Sequence, residues 1–232
     1  MSNYVTAIGL DVHARSIKAC ALNPMTGEVE RASFGYDPAS VAEWALGFES
    51  PKAVYESGAT GFHLCRALRA LGLDCAVGAV SKMQRPAADR GRKTDRRDAE
   101  FLARLLATRN VVEVWVPDER TEAARDLSRA LADARGDLQR AKQRMAKFLL
   151  RHGHVFEPTP TGGRRGNWTR AYWRWAGAIE FVEPDDAAAY EHYRDCVRRC
   201  EEARDALARR VAESAGRPEW KPAVDALRCV KG

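Results

Sequence analysis

Four acidic side chains have types and positions suited to one reaction centre: Asp11, Glu56, Asp95 and Asp98. Asp11 follows the apolar, β-prone run ending at Leu10, and Glu56 stands in the same relation to Val54 and Tyr55. Asp95 and Asp98 are three apart at the start of a predicted helix, a spacing that lets both face one way. Carboxylates carried on two strand ends and one helix start converge only if a cation offsets their repulsion. Two Mg²⁺ ions about 3.5–4 Å apart meet that need and position a water or a scissile phosphate; Mn²⁺ suits the same oxygen ligands. Taken singly, each acid has a plainer role. Asp11 reads as a turn residue, Glu56 as a solvated strand end, Asp95 as a helix cap and Asp98 as a partner of the helix dipole.

The elements that must carry these acids follow from pattern. Tyr4–Leu10, Ser16–Leu22 and Val29–Tyr36 read as a three-strand meander, with Pro24 and Gly27 marking a turn. Pro38 opens a helix bearing Val41, Trp44, Ala45 and Phe48. A short strand over Lys52–Tyr55 comes next, then a helix with Leu64, Leu68 and Leu71, then a strand over Asp74–Val77. Residues 80–97 are crowded with cations, a loop that leads into a helix over Asp95–Ala107. Val111–Val116 fits either a closing strand or an extended linker. Three strands, helix, strand, helix, strand imply an α/β fold, a mixed sheet with flanking helices.

From Glu122 to Arg151 the sequence predicts one long helix. Ala124, Leu127, Leu131, Ala134, Leu138, Ala141, Met145 and Phe148 alternate steps of three and four, the seam of a coiled coil. A covering helix is required, from this chain or from a second copy in a homodimer. Within the chain, Tyr190, Tyr193, Val197, Cys200, Leu207 and Val211 trace a suitable stripe. The expected organisation is a domain over residues 1–117, a helical assembly region over 118–215, and 216–232 as a linker or the start of a further domain.

The acids then acquire a family context. Ile8-Gly9-Leu10-Asp11-Val12-His13, Glu56-Ser57-Gly58-Ala59-Thr60-Gly61 and Lys93-Thr94-Asp95-Arg96-Arg97-Asp98-Ala99 resemble the DEDD-type insertion-sequence transposases whose recombination is guided by a bridge RNA. The similarity covers roughly residues 4–150. It implies an RNase H-like (RuvC-like) fold with Asp11, Glu56, Asp95 and Asp98 as metal-binding catalytic acids, and DNA and a guide RNA as partners. It also implies a serine nucleophile in a later domain, beyond the last residue of this sequence. Two other readings remain open: an autonomous junction-specific nuclease, and a nucleic-acid-binding assembly module without turnover.

Charge agrees with an anionic partner: 38 Lys+Arg against 32 Asp+Glu leave a formal +6 and a pI near 9.1. Three basic groups are candidates for phosphate contact: Arg85, Arg90, Arg92, Lys93, Arg96 and Arg97 beside the acids; Arg140, Arg144 and Lys147 on the long helix, with Lys142 and Arg151 in the same basic stretch; and Arg164, Arg165 and Arg170, interleaved with Trp168, Tyr172, Trp173 and Trp175. For the tryptophans, helix docking is the favoured alternative to base stacking. His13 suits a local polar role. Six scattered cysteines without a paired zinc spacing indicate reduced thiols and a cytoplasmic setting, and no apolar stretch is long enough to span a membrane.

Overall fold

The computed structural model describes residues 5–79, 95–157 and 166–230, with the side chains of residues 95–97 excepted. The chain divides into two compact units, Met1–Asp118 and Glu119–Gly232.

The first unit is built on strands β1 (Thr6–Val12), β2 (Ser16–Leu22), β3 (Val29–Gly35), β4 (Pro51–Glu56), β5 (Asp74–Gly78) and β6 (Glu113–Val114). They form one sheet in the order β3-β2-β1-β4-β5-β6. The first three pair antiparallel as a meander, whereas β4 lies parallel to β1 and β5 parallel to β4. The short β6 closes the far edge antiparallel to β5. Of the two readings of Val111–Val116, the outcome is therefore a two-residue strand within an otherwise extended segment.

Strand alternation gives the sheet two different faces. Ile8, Leu10, Ile17, Ala19, Ala53, Tyr55, Cys75 and Val77 line one face. It is covered by helices α1 (Pro38–Leu46) and α2 (His63–Ala70), which contribute Val41, Ala42, Ala45, Leu64, Cys65 and Leu68 to the same core. The Asp37 side chain accepts from the backbone N–H groups of Ala39 and Ser40, which starts α1 one residue before Pro38. Phe48 and Leu71, expected on helical faces, lie just beyond the ends of α1 and α2. Gly47 caps the first, and Leu71 itself caps the second and is 46% exposed.

The opposite face is covered by α3 (Asp95–Ala107). Ala7, Val54 and Ala76 pack with Leu102 and Leu106, and Cys20 packs with Ala99 and Ala103. Gly9 has no room for a side chain. A Cβ there would lie 2.0 Å from the Ala99 carbonyl oxygen and 2.5 Å from the Ala103 nitrogen. The helix backbone thus rests directly on β1, and glycine is the residue that allows it.

In the second unit, α4 (Glu119–Arg151) packs against α6 (Pro184–Ala215), with α5 (Arg170–Gly177) and α7 (Lys221–Arg228) completing the element order. Phe148 stacks on Tyr190 with ring centroids 6.1 Å apart, Lys142 pairs with Glu201 at 2.9 Å, and His152 lies 3.7 Å from Asp186. As α4 numbers fall, α6 numbers rise, so the two helices are antiparallel. Leu138, Ala141, Met145, Phe148, Leu149, Tyr190 and Val197 form the core between them with Tyr172 and Ala176 of α5. The seam on α4 thus finds cover within its own chain over this half. Ala124, Leu127 and Ala134, nearer the start of α4, are only half-buried. Cys196 and Cys200 pack against this core, as apolar residues do.

Candidate functional site

The acid-bearing end of the sheet is set by register. Leu10 pairs with Tyr55 between the parallel strands β1 and β4, so Asp11 and Glu56 are the next residues along two hydrogen-bonded neighbours. The strand expected to stop at Leu10 continues through Asp11 and Val12, because β2 supplies partners for both: Asp11 faces Lys18 and Val12 faces Ile17. Asp11 is therefore a strand residue and not a turn residue. Glu56 is likewise the last residue of β4.

Parity decides the face. Asp11 lies two residues beyond Gly9 and Glu56 two beyond Val54, and both Gly9 and Val54 face α3. Contacts from Leu106 with Ala7 to Ala99 with Gly9 make α3 antiparallel to β1. Its first turn, which carries Asp95 and the half-buried Asp98, therefore lies toward the Asp11 end of the sheet. Asp11 is 18% exposed and shares a hydrogen bond with His13 Nε2 at 3.0 Å, the local polar role expected for that histidine. Glu56 is exposed. Among the described residues, no three acidic, histidine or cysteine side chains stand close enough together to hold a metal ion. The fold thus sets Asp11 and Glu56 at one end of the sheet on the face that α3 covers, and brings the backbone of the first turn of α3 toward that end. Their chemistry, carboxylate oxygen throughout, is that of a hard divalent cation site.

The strand end is braced from behind. Tyr55 points opposite to Glu56, and its buried hydroxyl donates to the Gly61 carbonyl at 2.9 Å while accepting from the Cys65 N–H at 3.3 Å. No side chain of the preceding residue caps α2; the Tyr55 oxygen serves one of its orphan N–H groups instead. Burial pushes the Tyr55 phenol above its ordinary pKa, so it stays neutral and able to donate. Across the sheet, Arg31 of β3 donates to Glu100 of α3 at 2.6 Å, and Arg104 donates to the same carboxylate at 2.6 Å. Those bonds, Arg31's first, hold the Glu100 carboxyl below its ordinary range. Arg31, Glu100 and Lys18 were not singled out by sequence. Their alternation marks them as polar-face residues, but only register shows that they border the acids.

The basic candidates separate by location. Arg85, Arg90, Arg92, Lys93, Arg164 and Arg165 lie outside the described residues, and Arg96 and Arg97 are described only as backbone of α3. Arg144, Lys147 and Arg170 are exposed. The basic stretch on α4 is less unopposed than its sequence suggests. Arg140 is bridged to Asp137 one turn earlier, and Lys142 pairs with Glu201 with its ammonium 5.1 Å from the centre of the Trp168 ring. Trp168, Trp173 and Trp175 pack against the core of the second unit. Trp168 lies 4.7 Å from Tyr172 and Trp175 5.3 Å from Phe156, ring centre to ring centre. These aromatics serve helix docking.

A mixed sheet with an antiparallel meander, parallel central strands and helices on both faces is the RNase H-like (RuvC-like) arrangement, followed here by a helical region. The family model DEDD_Tnp_IS110, described as "Transposase", matches residues 8–153. The chain is 37% identical over 208 residues to "Putative transposase y4qE" of Sinorhizobium fredii (strain NBRC 101917 / NGR234), covering 89% of this chain and 47% of that protein. It is 30% identical over 231 residues to "Transposase for insertion sequence element IS1533" of Leptospira borgpetersenii, covering 97% of this chain and 65% of that one. The chain belongs to the IS110-type DEDD transposase family. It spans between about half and two thirds of the length of these curated relatives. No helix among the described residues is long and apolar enough to cross a membrane.

Proposed function

We propose that this chain supplies the acidic half of a DNA-recombining centre: Asp11, Glu56, Asp95 and Asp98 hold Mg²⁺ or Mn²⁺ at a scissile phosphodiester during RNA-guided transposition. The observation that carries the reading is the register of β1 with β4. It puts Asp11 and Glu56 side by side at one sheet end, on the face where α3 begins with Asp95 and Asp98. A bound divalent cation neutralises phosphate charge and lowers the pKa of a coordinated water. The protein's own part is positional. Gly9 lets α3 settle on β1, Tyr55 braces the end of β4, and His13 orients the Asp11 carboxylate through its 3.0 Å bond.

The family resemblance implies a serine from a carboxy-terminal domain as the attacking group. Such a serine would form an Oγ–P bond as the P–O bond to the leaving strand's deoxyribose oxygen breaks, while a divalent cation held by the four acids would neutralise the phosphate. The exposed Arg144, Lys147 and Arg170, together with the cations of residues 85–97 and 164–165, would hold DNA or guide RNA by its backbone. Assembly as a homodimer is part of the same proposal. In the cytoplasm, its proposed location, both nucleic acids are at hand.

The test is Mn²⁺ titration by calorimetry, with cleavage of branched DNA and of a donor–target pair with guide RNA. Asp11→Asn should weaken metal binding at least tenfold and abolish any cleavage without unfolding the chain. Wild-type metal affinity in Asp11→Asn would overturn the site. Metal and RNA binding with no cleavage of either substrate would select the assembly module for this chain on its own.

A further inference from the structure

Lys18 occupies a position that the metal chemistry does not use. It is the direct cross-strand partner of Asp11 on one side and of Ser33 on the other. Residues directly opposite in antiparallel strands share a face, so Lys18 stands on the α3 face with the acids. A lysine beside a metal-binding aspartate would compete with the cation if its ammonium reached back to the carboxylate. Its head turns the other way: Nζ donates to Ser33 Oγ at 2.6 Å. Lys18 makes no ion pair with a carboxylate among the described residues. Its neighbour Arg31, one row deeper, is neutralised by Glu100. Lys18, Arg31 and Ser33, with Ala99 of α3, border a cleft of about 310 Å³.

That geometry makes a pair of donors with one charge. The ammonium keeps two further N–H groups after bonding Ser33, and Ser33, whose oxygen accepts from Lys18, still has its own proton to donate. An ammonium and a hydroxyl opening on one cleft suit an anionic oxygen with several lone pairs. We infer that Lys18 and Ser33 bind a backbone phosphate of the nucleic-acid strand that crosses the acidic site, flanking the phosphate that reacts. Lys18 is a positioning residue: it sets where the strand lies along the β2–β3 side of the acids. The inference rests on the nucleic-acid function proposed above.

The experiment is binding of a fluorescein-labelled branched DNA, in EDTA, over a range of salt. Each phosphate neutralised contributes about 0.7–0.9 to the slope of log affinity against log salt, roughly threefold in affinity over a fourfold salt span. Lys18→Ala should lower the slope by about that amount, and Lys18→Arg should restore it. Ser33→Ala should weaken binding with the slope unchanged, because it removes a donor and no charge. Mn²⁺ affinity should be the same in all three variants. An unchanged slope in Lys18→Ala, or altered Mn²⁺ affinity with an unchanged slope, would overturn the inference and leave the acidic site standing. A wild-type chain with no salt-dependent binding would overturn both. Salt-dependent binding that loses its Lys18 contribution, in a chain without divalent-metal cleavage, would sink only the catalytic reading.

Discussion

The carbonyl oxygen of Ala99 occupies the space that a side chain on Gly9 would need, 2.0 Å from where its Cβ would stand. This contact lets α3 lie on β1 and brings the first turn of α3 toward the Asp11 end of the sheet. Glycine here is a packing requirement.

Gly9→Ala should therefore force the helix off the sheet. Because the obstacle is backbone and not a flexible side-chain tip, the cost should reach the upper part of the overpacking range, about 3 kcal/mol. Urea denaturation of the first unit's signal checks this. A loss under about 0.5 kcal/mol would show that α3 is free to shift.

Glu100 links α3 to β3 through Arg31, and its folded-state pKa lies below the ordinary 4.5. A carboxylate with a depressed folded pKa stabilises fully above its unfolded value and loses that contribution as pH falls through the folded one. Glu100→Gln should thus lower Tm at pH 7, and the difference from wild type should shrink as pH falls from 4.5 through the lower folded-state value. A constant difference between the two down to strong acid would refute the linkage.

Tyr55→Phe removes the hydroxyl that bonds Gly61 and serves the Cys65 N–H. Leaving both backbone groups without that partner should cost about 1–2 kcal/mol. Faster amide exchange should appear at Cys65 and in residues 57–62. Unchanged exchange there would mean that the brace behind Glu56 lies elsewhere.

Phe148 meets Tyr190, Tyr193 and Phe181 with ring centres between 5.3 and 6.1 Å away. Phe148→Ala should destabilise the second unit by about 3–5 kcal/mol. Because α4 and α6 pair within one chain, the loss relative to wild type should be the same at low and high protein concentration, read by urea denaturation. A loss that changes with concentration would show that Phe148 packs between copies.

How far the sequence reaches depends on the range of the signal. Apolar alternation marks the meander and the two short strands of the first unit, and the three-and-four spacing marks α4, because those periodicities are local. The acidic set was legible as types at element boundaries and as a family motif, even though β1 runs two residues past the expected end. Those residues joined the strand because β2 supplied Lys18 and Ile17 as partners, and pairing is a property of two segments. The same limit hid Lys18, Arg31 and Glu100, whose importance comes from register. It also made the cations of α4 look less opposed than they are, since Glu201 approaches Lys142 from 59 residues away in sequence.

For the four acids that division is plain. The sequence by itself determined which carboxylates make up the set and that they stand close to the ends of strands and the start of a helix, since identity and periodicity are written residue by residue. Only the tertiary structure decided that Asp11 and Glu56 are neighbours on the α3 face, with Lys18 beside them. That outcome depends on strand order, register and a helix backbone resting on Gly9, relations between segments that no single segment contains.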